Sequence, residues 1–127
     1  MNALNGMPGI LSARWSGKHG DDQANLELVL GQLADIDARG ASFVCVAALA
    51  LPGGGREWTT TGVLAGSITR APRGANGFGY DPIFVPEGME TTTAELPPQD
   101  KDAISHRGRA FRAIAKVIAA LPASEPR

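Results

Sequence analysis

Apolar positions along this chain recur with more than one period. Leu26, Val29, Leu30, Leu33 and Ile36 fall on one helical face, and Asp21 or Asp22 just before them offers the side-chain oxygen that caps a helix start. Residues 41–51, ASFVCVAALAL, are continuously apolar and rich in Val, Phe and Cys, the pattern of a central strand covered on both faces. Pro52-Gly53-Gly54-Gly55 must turn. Residues 56–61 and 63–69 then read as two strands of a hairpin or meander, with Gly62 and Gly66 as candidate bulges. Residues 83–85 suit a short strand and 86–88 a turn, while Pro97-Pro98 ends whatever 91–96 begins. Ile104, Phe111, Ile114, Ala115, Ile118 and Leu121 trace an apolar helical stripe that stops before Pro122, with Ser105 as N-cap and a frayed tail after it. The first twenty residues, punctuated by Asn5-Gly6, Pro8-Gly9, Ser16-Gly17 and Gly20, predict irregular structure or a hairpin. Together these elements predict an α/β fold, a mixed twisted sheet with flanking helices.

Composition sets the bounds of that fold. A chain of 127 residues fits a single domain, 1–127, with a modest core. Its 16 glycines and nine prolines exceed the usual share, so loops are plentiful and shaped, without reaching the level that signals disorder. No apolar run approaches the ~18 residues of a membrane span, and the opening Met1-Asn2-Ala3-Leu4-Asn5-Gly6 lacks the basic flank and apolar segment of a secretion signal. The expectation is a cytoplasmic protein with no membrane partner. Cys45 is the single cysteine, which excludes an internal disulfide and a thiolate metal cluster and leaves it as a small core residue.

A formal net charge of −1 hides a local asymmetry. Residues 81–100 carry Asp81, Glu87, Glu90, Glu95 and Asp100 and no base, whereas 101–116 carry Lys101, Arg107, Arg109, Arg112 and Lys116 against Asp102. A small anion suits this better than long nucleic acid, which needs a broad basic face. If Ser105 caps the last helix, His106 and Arg107 lie in its first turn, where unpaired backbone N–H groups and the dipole favour an anion. Lys101 approaches the same place; the same three residues also suit ordinary surface positions. In Gly77-Phe78-Gly79-Tyr80-Asp81 two rings alternate with small residues, so a flat base could stack there and Asp81 could accept from a ring N–H. The rings serve equally as core anchors of a glycine-rich turn. The loop lacks the dinucleotide fingerprint and the Lys-Ser/Thr ending of a P-loop. A triad drawn from Ser12 or Ser16, His19 and Asp21 has no nucleophile elbow, and the acids and histidines show no metal-loop spacing.

As a set, the motifs are more specific than any one of them. The segment from Ala3 to Trp15 (ALNGMPGILSARW), Asn25, Gly77-Phe78-Gly79-Tyr80-Asp81-Pro82-Ile83-Phe84, Thr93-Ala94-Glu95-Leu96, Lys101 and Ile104-Ser105-His106-Arg107-Gly108 appear in this order. This resembles the inosine triphosphate pyrophosphatase family, over about 3–121. The resemblance implies that family's fold and hydrolysis of non-standard purine nucleoside triphosphates, such as ITP, dITP and XTP, to monophosphate and pyrophosphate. It also implies magnesium as cofactor, a purine nucleoside triphosphate as substrate and a homodimer. By the same resemblance Phe78 and Tyr80 match the base-stacking aromatics, Gly79 lies between them, and Asp81, Lys101, His106 and Arg107 match purine-contacting positions.

The family's triphosphate-gripping Thr/Ser-x-Asn-x-x-Lys loop, its metal-holding glutamate and its Asp-Ser-Gly-Leu segment all belong before the point where this chain starts. The chain therefore reads as the C-terminal two thirds of such a domain, incomplete at the N-terminus, with no catalytic residue and no metal ligand of its own. The expectation is a base pocket that turns nothing over alone. The alternative is a non-catalytic nucleotide-binding or dimerisation fragment.

Overall fold

The computed structural model describes residues 1–121, so the frayed tail expected after Pro122 lies outside the described residues. The first helix forms where the apolar spacing places it: α1 runs Asp22–Gln32, and Asp21 caps it by accepting from the Ala24 amide at 3.1 Å. Its inward side carries Asn25, Leu26 and Val29, with Leu33 following. Ile36 lies past the helix end and is exposed. Ahead of α1 the chain forms two 3-10 segments, Asn2–Leu4 and Gly9–Arg14, in place of a hairpin.

Three strands follow, β1 at Gly40–Ala50, β2 at Glu57–Ile68 and β3 at Phe84–Pro86, in the sheet order β1-β2-β3. β2 and β3 are antiparallel, with Gly66 opposite Pro86 and Ile68 opposite Phe84. Two expectations are corrected here. β1 is not covered on both faces: it is the outer strand of this sheet and its exposure alternates, leaving Val44 and Val46 each 59% exposed. An apolar run reports that both faces avoid charge, not that both are packed. Residues 57–68 form one strand, not two, because Gly62 and Gly66 are sites of close approach instead of bulges. A Cβ at Gly66 would lie 2.2 Å from the Val85 carbonyl oxygen across the sheet.

Pro97-Pro98 begins a helix where the sequence reading had only a stop. α2 spans Pro98–Ile104, and its opening proline needs no amide partner at a helix start. α3 spans His106–Ala119 with Ser105 as N-cap, as expected. Its packed face is displaced from the expected stripe. Ile104 ends α2, Phe111 and Ile118 are exposed, and Ala110 and Ile114 are buried.

Packing divides the chain into two compact units. One comprises Met1–Ser42 and Ala65–Lys101, with Leu26, Val29, Leu33, Ile68, Ile83, Phe84 and Ala94 in its core. Arg39 ties its two stretches together: the guanidinium donates to the carbonyls of Leu33 at 2.6 Å, Ile36 at 3.1 Å, Ile68 at 2.8 Å and Thr69 at 2.6 Å. The other comprises Phe43–Leu64 and the chain from Asp102 onward. In it Ala47, Ala110 and Ile114 form the centre, with Cys45, Leu49, Trp58 and Val117 packed around them. The helix sits close to the strand there because Gly62 has no side chain. A Cβ would lie 2.0 Å from the His106 carbonyl oxygen and 2.5 Å from the Ala110 nitrogen. Among the described residues no helix is long and apolar enough to cross a membrane.

Candidate functional site

The glycine loop is shaped by backbone that only glycine adopts readily: Gly74, Gly77 and Gly79 have φ of 93°, 75° and 61°. Gly77 is also short of space, since a Cβ would lie 2.1 Å from Asp81 Oδ2. That closeness lets Asp81 fold back under the loop. Its Oδ2 accepts from the Phe78 amide at 2.9 Å and pairs with Lys101 Nζ, while Oδ1 accepts from Thr93 Oγ1 at 2.9 Å. Asp81 is 4% exposed, so its carboxylate is spent on holding the frame. Lys101 Nζ lies 4.5 Å from the Phe78 ring centroid, within cation–π range. Phe78 itself is 73% exposed. A largely exposed aromatic ring with a cation over it is the outcome.

Tyr80 is different: of the two roles open to these rings, Phe78 takes the exposed one and Tyr80 that of core anchor. Tyr80 is buried and its hydroxyl donates to the Ser12 carbonyl at 2.6 Å, fastening the loop to the second 3-10 segment. Burial, and secondarily the Asp22 carboxylate, push its pKa from the ordinary 10.0 up to about 12. Because the folded value is raised, Tyr80 contributes stability below pH 10.0 that is lost as pH rises toward about 12. Tyr80 is the chain's sole tyrosine, so alkaline titration of phenolate absorbance reads it alone. A midpoint near 12 is expected for the folded chain, falling to the ordinary value in denaturant. A folded-state midpoint at 10.0 would contradict the buried placement.

In the second unit, Ser105 Oγ accepts from the Gly108 amide at 2.9 Å and fixes the start of α3. His106 stacks on Phe43, with centroids 4.9 Å apart and planes at 15°. Arg107 is exposed, its guanidinium 6.0 Å from the Phe111 ring. The structure thus brings Phe78, Gly79, Tyr80, Asp81 and Lys101 together in one unit and places His106 and Arg107 side by side in the other. Two residues named in the sequence for other reasons support the loop. Thr93 is 1% exposed and is set by the capping box of Thr92 and Glu95, a spacing that could have flagged it. Ser12 acts through its carbonyl, for which side-chain identity gives no signal.

The model of the Ham1 family matches residues 1–117 of the 127. The chain belongs to the Ham1 family. This Ham1-family chain is 58% identical over 120 residues to the dITP/XTP pyrophosphatase of Streptomyces coelicolor, covering 93% of this chain and 60% of the relative. It is 54% identical over 129 residues to that of Corynebacterium efficiens, covering 95% and 62%. Among solved structures, the nucleoside-triphosphatase (dITP/XTP pyrophosphatase) of Mycobacterium abscessus matches with TM-score 0.78 and 58% identity over 92% of this chain and 60% of that one. The Ham1 protein of Staphylococcus aureus matches with TM-score 0.88 and 39% identity over 93% and 61%. These neighbours bear out the resemblance and the α/β fold read from the motifs. The chain spans about three fifths of the length of the relatives it matches.

Magnesium, which the resemblance implies, does not find a cradle in the described residues, where no group of three or more His, Cys, Asp or Glu side chains could hold a metal ion. The acids around the loop are otherwise engaged: Asp21 caps α1, Asp22 accepts from the Gly79 amide, Asp81 pairs with Lys101, and Glu95 closes a capping box and faces Arg73 at 3.4 Å.

Proposed function

We propose that the chain recognises the purine of nucleoside triphosphates of the dITP and XTP kind, and that the activity it serves is their hydrolysis to monophosphate and pyrophosphate. The observation that carries this reading is the exposed Phe78 ring with Lys101 held over it by Asp81. A flat ring stacks on such a face, and an ammonium can only donate. Hypoxanthine and xanthine present a carbonyl at purine position 6, which accepts from Lys101. Adenine presents an amino group there, and two donors facing each other leave groups unmet at about 1–3 kcal/mol each when buried. The names of the relatives, dITP/XTP pyrophosphatases, point to the same substrates.

Phosphoanhydride hydrolysis needs charge neutralisation of the phosphates and a prepared water. In this reading magnesium and the acids that hold it are not drawn from the residues described, and the working enzyme is a homodimer in the cytoplasm. The 127-residue chain by itself is therefore expected to bind without turning over.

Titration calorimetry with inosine monophosphate and adenosine monophosphate tests the recognition. Inosine monophosphate should bind at least about tenfold tighter, and Phe78→Ala should weaken it by about 1–3 kcal/mol. Equal binding of the two, or binding indifferent to Phe78→Ala, would remove the reading. A pyrophosphate-release assay with inosine triphosphate and magnesium tests the second part, and release at an enzymatic rate by this chain, abolished by Arg107→Ala, would overturn it.

A further inference from the structure

A second carboxylate reaches the stacking loop from a distant part of the sequence. Asp22, the first residue of α1, accepts through Oδ2 from the Gly79 amide at 3.0 Å. Asp81 already holds the Phe78 amide. The N–H groups on both sides of the Phe78 α-carbon are thus pinned by carboxylates on two different segments.

Three observations separate this contact from ordinary surface pairing. α1 does not need Asp22 as its cap, because Asp21 performs that role. Gly79 has no heavy atom within 4 Å of where a Cβ would stand, so the loop is not fixed there by packing. Gly79 also sits at φ 61°, so its own backbone preference does not select this conformation over the mirror ones glycine visits as readily. The peptide that follows Phe78 is held at both ends: its carbonyl accepts from the Asp81 amide at 3.1 Å, and its N–H donates to the charged Asp22 acceptor, a stronger bond than a neutral one.

We propose that Asp22 is a positioning residue for the Phe78 platform: by holding the Gly79 amide it sets the tilt of the ring over Lys101, and with it the affinity for a flat base. The affinity clause rests on the function proposed above; the tilt clause does not.

The test separates the two. In Asp22→Ala, hydrogen exchange at the Gly79 amide should quicken by about fivefold, the ring-current shift that Phe78 imposes on the Lys101 side chain should shrink, and inosine monophosphate should bind about fivefold more weakly. The thermal midpoint should hold, since Asp21 still caps α1. Asp22→Asn retains an acceptor oxygen and should recover most of each effect. Unchanged Gly79 exchange and an unchanged Lys101 shift in Asp22→Ala overturn the proposal whether or not any nucleotide binds. If both move while the unaltered chain has no affinity for inosine monophosphate, positioning by Asp22 is upheld and the stacking function is what fails. If both move and affinity stays at the unaltered chain's measurable value, the claim that tilt governs binding is overturned.

Discussion

Asp81→Ala is expected to lower stability by about 3–5 kcal/mol and to abolish binding of inosine monophosphate. The size follows from what is stranded. The Asp81 and Lys101 side chains are only 6% and 17% exposed, so removing the carboxylate leaves a largely buried ammonium with no counter-charge. It also leaves the Phe78 amide without its acceptor, while the Thr93 hydroxyl keeps only the Asp81 backbone carbonyl at 3.1 Å. Asp81→Asn keeps the shape and should cost less. Its amide oxygen can take the place of Oδ2 toward Lys101 and the Phe78 amide while its nitrogen donates to the Thr93 hydroxyl, so what is lost is the counter-charge. Urea denaturation followed by circular dichroism measures the loss, and Lys101→Met in the same background should recover part of it by removing the orphaned charge. A loss below about 1 kcal/mol for both Asp81 variants would mean that the pair is a solvated surface contact.

Gly62→Val should be at least as severe for the second unit, with about 3 kcal/mol or more lost. The obstacle is main chain: a Cβ would fall 2.0 Å from the His106 carbonyl oxygen and 2.5 Å from the Ala110 nitrogen, and neither can rotate away as a side chain could. α3 must shift bodily, taking with it the stack of His106 on Phe43. The loss should therefore be visible twice, in the denaturation midpoint and in the chemical shift of the His106 ring protons. Gly62→Ala makes the same clash with less bulk and should still cost more than about 1 kcal/mol. A Gly62→Val variant with wild-type stability and an unmoved His106 signal would show that helix and strand are not in close contact.

Sequence reading located α1 and α3 well because their ends are chemically marked: Asp21 and Ser105 both cap as expected. It located the glycine loop through a motif set, with composition adding little, but grouped Lys101 with the start of α3, whereas Lys101 pairs with Asp81 and lies over the Phe78 ring. It misplaced the burial of β1, because a run such as Phe43-Val44-Cys45-Val46 has the same apolar signature with one face packed or two. The inward face of α3 was displaced for a related reason. Counting large apolar side chains favours Phe111 and Ile118, whereas the true contact is made by Ala110, small enough to sit against Gly62. Alternation along the loop leaves open which ring stacks and which anchors the core; Tyr80 is the anchor because its hydroxyl has a backbone partner 68 residues earlier that no local pattern reveals. α2 was missed because a double proline was read as an ending, although its second member opens a helix.

The guanidinium of Arg39 carries a consequence for the order in which the chain is made. As the ribosome releases the sequence, the Leu33 and Ile36 carbonyls are present before Arg39 emerges, but the Ile68 and Thr69 carbonyls arrive 29 and 30 residues later. At typical rates of synthesis that delay is about two to six seconds. During that interval the nascent first segment waits with a charged fork half satisfied, and the intervening strands must be translated before it can close.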